Sequence, residues 1–112
     1  MNEGDVILTS IRQADGVSKN RPAVVLRIMP GFGDRLVCGV STQLRHEVKG
    51  FDDLVDESSS DFAPSGLQRA SIIRLGFLAV LPSSDIIGKI GSIDTERHQR
   101  LLERLARFLT ER

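Results

Sequence analysis

The sequence predicts a mainly β (α+β) domain, a small antiparallel β-barrel or strongly curved sheet that ends in one amphipathic helix. Three observations predict it. Short runs rich in Val and Ile are separated by breaks containing Gly, Pro, Asp and Asn. Most of those breaks are too short to hold a crossover helix, so neighbouring strands should run antiparallel. Beyond Asp94 the apolar spacing changes from that of a strand to that of a helix.

After a Gly4-Asp5 turn, Val6 to Ile11 (VILTSI) reads as the first strand. RQADGVSKN, with Asp15-Gly16 inside it, reads as a loop of hairpin length. Pro22 to Met29 (PAVVLRIM) is the second strand, rich in β-branched residues, and Pro-Gly-Phe-Gly-Asp at 30–34 is a turn. The third strand is Arg35 to Thr42, with Gly39 marking a bulge or a close backbone approach. An acidic, serine-rich excursion follows, with a short strand at Asp53–Val55. Ser71–Arg74 and Phe77–Leu81 are further strands interrupted near Gly76, and DIIGKIG is a last strand or a helical turn. Asp94 is suited to cap the terminal helix, whose Leu101, Leu102, Leu105, Phe108 and Leu109 form one apolar face. Arg97, Arg100, Arg104 and Arg107 fill the rest of that helix and read as its solvated side.

At 112 residues and 12.3 kDa the chain is read as a single domain, 1–112. Its 15 basic and 15 acidic residues balance, which supplies no bulk attraction for nucleic acid. The charges are segregated, however. Asp52, Asp53, Asp56, Glu57 and Asp61 fall in a stretch without Lys or Arg, while residues 67–112 are net basic. Trp and Tyr are absent, which argues against recognition of bases by extended aromatic stacking. The single cysteine, Cys38, excludes an internal disulfide and sits in an apolar run, where packing is its expected role. No apolar run approaches the roughly 18 residues of a membrane span, and MNEGDV is not a signal sequence. A soluble, cytoplasmic protein is the expectation.

The chemistry of the sequence gathers at Arg21. The proline after it holds the Arg21 backbone extended, so a permanent cation is given a direction at the mouth of an apolar strand. On strict alternation it shares a face with Ala23 and Val25. The third strand ends in Val-Ser-Thr-Gln, two hydroxyls and an amide where the chain leaves the sheet, and Arg74 ends another strand. Taken singly, each of these is equally a solvated or capping residue. The acidic run matches no EF-hand spacing and reads as a solvated loop.

GDVIL, NRPAVVL, VCGVSTQ, GLQRASIIR and IIGKIGSID occur in the order and approximate spacing of the MazF/PemK (Kid) toxin family, which residues 4–94 and the terminal helix resemble. The resemblance implies an SH3-like barrel, usually a homodimer, acting as a metal-independent, sequence-selective endoribonuclease without a cofactor. It implies a cognate antitoxin whose flexible acidic tail covers the nuclease groove. It makes Arg21 catalytic and Ser41 the hydroxyl ending the third strand, with Thr42 as its neighbour and alternative. Lys19, Asn20, Thr42, Gln43 and Arg74 are the expected contacts to single-stranded RNA. Where some members carry an acid two positions after the last of these, this chain has Gly76, followed by apolar Phe77–Val80. His46 follows the third strand and His98 lies early in the helix, where a surface position is expected; the general base stays unassigned. A catalytically inactive RNA- or protein-binding module and a gyrase-poisoning, CcdB-like toxin are the competing readings.

Overall fold

In the computed structural model residues 1–12, 16 and 18–111 are described, apart from the side chains of Ile11, Arg12 and Ser18. Six strands form one sheet: β1 Asp5–Arg12, β2 Ser18–Ile28, β3 Arg35–Ser41, β4 Asp53–Val55, β5 Ser71–Leu81 and β6 Ile86–Ser92. Their order is β4-β5-β3-β2-β1-β6, and every pairing is antiparallel. A one-turn helix α1, Phe62–Ser65, lies between β4 and β5, and α2, Thr95–Thr110, ends the chain. No helix among the described residues is long and apolar enough to cross a membrane. The antiparallel, mainly β architecture with a terminal helix is the one the sequence predicts. Of the loop expected over 12–20, residues 13–15 and 17 lie outside the described residues, while 12 ends β1 and 18–20 begin β2.

The run Ala23–Leu26 is buried without a polar interruption because both faces of β2 are covered. One face packs Val24 and Leu26 with Val6, Cys38, Ile73 and Leu75 against Leu101 and Leu105 of α2. The other packs Ala23 and Val25 with Ile7 and Val37 under Ala79, Leu81 and Ile86. The sheet therefore curls over itself on one side and takes the helix on the other.

The edges of the curl approach each other through glycine. A Cβ on Gly66 would collide with the Ile90 carbonyl, and one on Gly91 with the backbone of Pro64 and Ser65. Gly66 also has φ +74°, the left-handed cap of α1, so its lack of a side chain serves two ends. This contact seats the 64–67 segment on β6, between strand edges that do not pair directly.

Several details depart from the sequence reading. β2 begins at Ser18, so Pro22 lies inside an 11-residue strand, paired with Leu8, rather than at its start. The ladder to β3 reaches only to Ala23, leaving an open edge where a residue without an N–H is tolerated. The interruption near Gly76 is a register shift within one continuous strand: Gly39 pairs with Arg74 and Cys38 with Leu78. Gly39 is both bulge partner and close approach, since a Cβ there would lie 2.9 Å from the Phe77 ring. The DIIGKIG segment is strand from Ile86 on, Asp85 ending a 3₁₀ turn at Ser83–Asp85.

Asp94 caps α2 as expected, accepting from the Arg97 N–H at 2.7 Å. The apolar face of α2 stops short, however: Phe108 and Leu109 are 65% and 69% exposed, although the Phe108 ring lies 5.2 Å from that of Phe51, centre to centre. His98 is half-buried rather than on the surface. Its Nε2 lies 2.8 Å from the Leu26 carbonyl, which can only accept, so that nitrogen carries the proton and ties α2 to β2.

Candidate functional site

The inner end of the curled sheet opens into a cleft of about 270 Å³. Its floor is aliphatic: Leu8 of β1, Pro22 of β2, Val40 of β3, Leu67 and Ile90 of β6. Polar groups of the wall and rim are Arg21, Thr42, Gln68, Arg69 and Ser71. No carboxylate and no imidazole stands among these lining residues, while two guanidiniums do.

The register explains which strand-end groups enter. Pro22 and Leu8 are cross-strand partners, and Val40 and Thr42 alternate onto the same face, so all four meet the cleft. Arg21 and Ser41 belong to the other face. Ala23 pairs with Gly39, and Arg21 and Ser41 each follow two residues beyond on that same face, where their paired neighbours are Thr9 and Ile72. Arg74, partner of Gly39, is half-buried on the same side. The long Arg21 side chain is exposed and borders the cleft that Thr42, just past the end of β3, also lines.

Of the residues singled out from the sequence, Arg21 and Thr42 line the cleft and Ser41 and Arg74 do not. The Ser41 hydroxyl accepts from the Gln43 N–H at 3.0 Å, a cap for the departing strand that leaves its own proton free to donate. Gln43, Lys19 and Asn20 are exposed. His46, in a single 3₁₀ turn at Leu44–His46, is exposed as well.

Gln68 and Arg69 escaped the sequence reading. They lie in an irregular stretch where no period fixes direction, and only the closure of the sheet brings them to the cleft. That stretch is held firmly. Ser65 donates its hydroxyl to the Phe62 carbonyl at 2.6 Å and accepts from the Leu67 N–H at 3.2 Å, and Ser71 donates to the Arg69 carbonyl at 2.8 Å.

Of the acidic run, expected to be a solvated loop, Asp52, Asp53 and Asp61 are buried, and Arg97, Arg100 and Arg104 of α2, expected on the wet side, hold the last two. Arg97 is itself buried and grips both oxygens of Asp61, at 2.8 and 2.9 Å, and Asp53 at 2.8 Å. Arg100 and Arg104 reach the same Asp53 carboxylate at 2.7 and 3.0 Å. Burial pushes the Asp61 carboxyl up, but the Arg97 guanidinium and the Asp94 N–H outweigh it and hold the group below its ordinary range. Burial likewise opposes the charge on Arg97, and its two carboxylate partners raise its pKa regardless. Asp52 accepts from the N–H groups of Val48 and Leu75, at 2.9 and 3.1 Å, the second at the irregular part of β5. No group of carboxylates, His or Cys among the described residues is arranged to hold a metal ion. Cys38 is buried, and desolvation pushes its thiol up to about 12, so it is packing rather than chemistry.

Comparison with known proteins gives this geometry its context. No curated protein matches the chain. Among solved structures the chain resembles the Mycobacterium tuberculosis toxin MazF-mt6, with a TM-score of 0.65 and 21% identity, over 94% of this chain and 95% of that one. At that identity the likeness speaks for the fold. The sequence model of the family described as PemK-like, MazF-like toxin of type II toxin-antitoxin system matches residues 2–109. The chain belongs to the PemK-like, MazF-like toxins of type II toxin-antitoxin systems.

Proposed function

We propose that this protein is a toxin endoribonuclease that cleaves single-stranded RNA without a metal ion. The observation that carries the proposal is the setting of Arg21. It is an exposed guanidinium on the strand face that Ser41 shares, and it lines a cleft that offers a second arginine, an amide and hydroxyls but no carboxylate. Such a surface suits a phosphodiester chain and repels nothing in it.

In the proposed reaction the substrate supplies the nucleophile. Its 2′-oxygen bonds to phosphorus and loses its proton, the bond from phosphorus to the 5′-oxygen breaks, and that oxygen takes up a proton. The products are a 2′,3′-cyclic phosphate and a 5′-hydroxyl. Arg21 donates two parallel hydrogen bonds to the phosphoryl oxygens, where charge builds up in the transition state. Ser41 donates to the phosphate or the reacting hydroxyl. Lys19, Asn20, Thr42, Gln43 and Arg74 hold the strand on either side. The protein works as a homodimer in the cytoplasm and is silenced by an antitoxin whose acidic tail meets the same arginines. Incubation with a long RNA and with DNA of the same sequence, both in excess EDTA, tests this: RNA alone should be cut, and an uncut RNA would end the proposal.

One observation favours a second reading. The cleft lining has no imidazole or carboxylate to serve as general base, and Gly76 stands where some family members carry an acid. A barrel that binds RNA without cutting it would retain RNA in a binding assay while leaving it whole.

A further inference from the structure

We propose that the cleft is the seat of one nucleotide next to the scissile phosphate, with Arg69 holding its outer phosphate and Gln68 reading its base. This rests on the RNA reading above and extends it to a face that Ser41 does not occupy. Arg21 lines the cleft and starts from the strand face that Ser41 shares, so a strand whose scissile phosphate is held by Arg21 has its next residue at the cleft mouth.

The shape and chemistry of the cleft select the occupant. About 270 Å³ is slightly below the usual size of pockets for drug-like ligands, enough for one base and not two. The floor is aliphatic, with Leu8, Val40, Leu67 and Ile90, so it accepts a flat apolar face without demanding a particular one. Specificity must then come from the rim. Gln68 is the lining side chain with both a donor and an acceptor in one plane, which is what the edge of a base requires. The Ser71 hydroxyl is already engaged with the Arg69 carbonyl, and that bond fixes the loop from which Arg69 projects.

Arg69 is exposed, and among the described residues its guanidinium forms no ion pair or hydrogen bond within the chain. The backbone on either side is pinned by Ser65, Ser71 and the Gly66 contact with β6. A fixed base carrying an uncommitted, permanently charged fork is suited to grip a phosphate at little ordering cost.

Binding of short 2′-O-methyl oligonucleotides, which cannot be cleaved because the attacking hydroxyl is blocked, tests the proposal apart from catalysis. The oligonucleotides differ at one position, and the proteins are wild type, Arg69→Ala, Arg69→Lys and Gln68→Ala, each checked for folding by circular dichroism. Arg69→Ala should weaken binding about tenfold for every sequence and lower the salt slope by about 0.7, with partial recovery in Arg69→Lys. Gln68→Ala should erase a preference of about fivefold or more for one base at that position. Wild-type binding that neither Arg69→Ala nor Gln68→Ala alters would overturn the subsite while leaving the RNA reading intact. A wild-type protein that binds none of the oligonucleotides would overturn both.

Discussion

Arg97 and Asp61 form a two-pronged pair inside the protein: Nε donates to one carboxylate oxygen at 2.8 Å and a terminal nitrogen to the other at 2.9 Å. The same guanidinium donates to Asp53 at 2.8 Å and to the Leu54 carbonyl at 3.0 Å. Through this one side chain α2 is fastened to β4 and to the segment leading into α1. Arg97→Ala leaves buried Asp61 without its charged partner and removes one of three guanidiniums from Asp53, and should destabilise the protein by about 3–5 kcal/mol. Urea denaturation measures this; a loss below 1 kcal/mol on the order of a surface pair would mean the network adds little.

Acid should loosen the same network. Because Asp61 titrates below its ordinary value of 3.8 in the folded chain, the unfolded chain binds the proton more readily. Stability is therefore fully present above that value and is lost as pH falls through the lower, folded one. The raised pKa of Arg97 acts only in strong base, outside the working range. Urea midpoints between about pH 5 and pH 3 should fall for the wild type and fall less steeply for Asp61→Asn.

The closure of the sheet depends on bare backbone at Gly66. Alanine there must adopt φ near +74° and place a methyl against the Ile90 carbonyl, so Gly66→Ala should cost about 3 kcal/mol, the left-handed and overpacking penalties together. Gly39→Ala meets only the Phe77 ring, which is 44% exposed and free to swing, and should cost much less. Thermal denaturation of the two variants side by side checks the contrast.

The two hydroxyls that end β3 should separate in kinetics. Ser41 shares a strand face with Arg21 and Thr42 lines the cleft, so Ser41→Ala should lower kcat by at least about tenfold and Thr42→Val should mainly raise KM. The reverse pattern would assign the reacting hydroxyl to Thr42.

How far the sequence could be read follows from what each residue type reports. Apolar period and Gly/Pro breaks located the five longer strands, with β5 read as two runs and β6 as a strand or a helical turn, and even the three residues of β4, because both signals are local. The Asp94 cap and the Leu101–Leu105 face were legible for the same reason. The tertiary fate of charge was not. Asp52, Asp53 and Asp61 look like a solvated run, and Arg97 looks like a wet helix position, until the chain folds and places them against each other. Likewise Arg21 drew attention through its proline, whereas Gln68 and Arg69 sit in a stretch with no period, and their place at the cleft is set by Gly66 and Gly91 meeting across the sheet edges. His98 failed as a surface residue because its partner, the Leu26 carbonyl, is distant in sequence.

The central claim is that Arg21 meets a phosphate, and its most direct test is end-group analysis of RNA fragments made in excess EDTA by wild type and Arg21→Ala. The account predicts 2′,3′-cyclic phosphate ends from the wild type and a loss of about 10²–10³-fold in cleavage rate in the mutant, with its circular dichroism unchanged. Equal cleavage by the two proteins, or fragments ending in a 3′-hydroxyl, would contradict it.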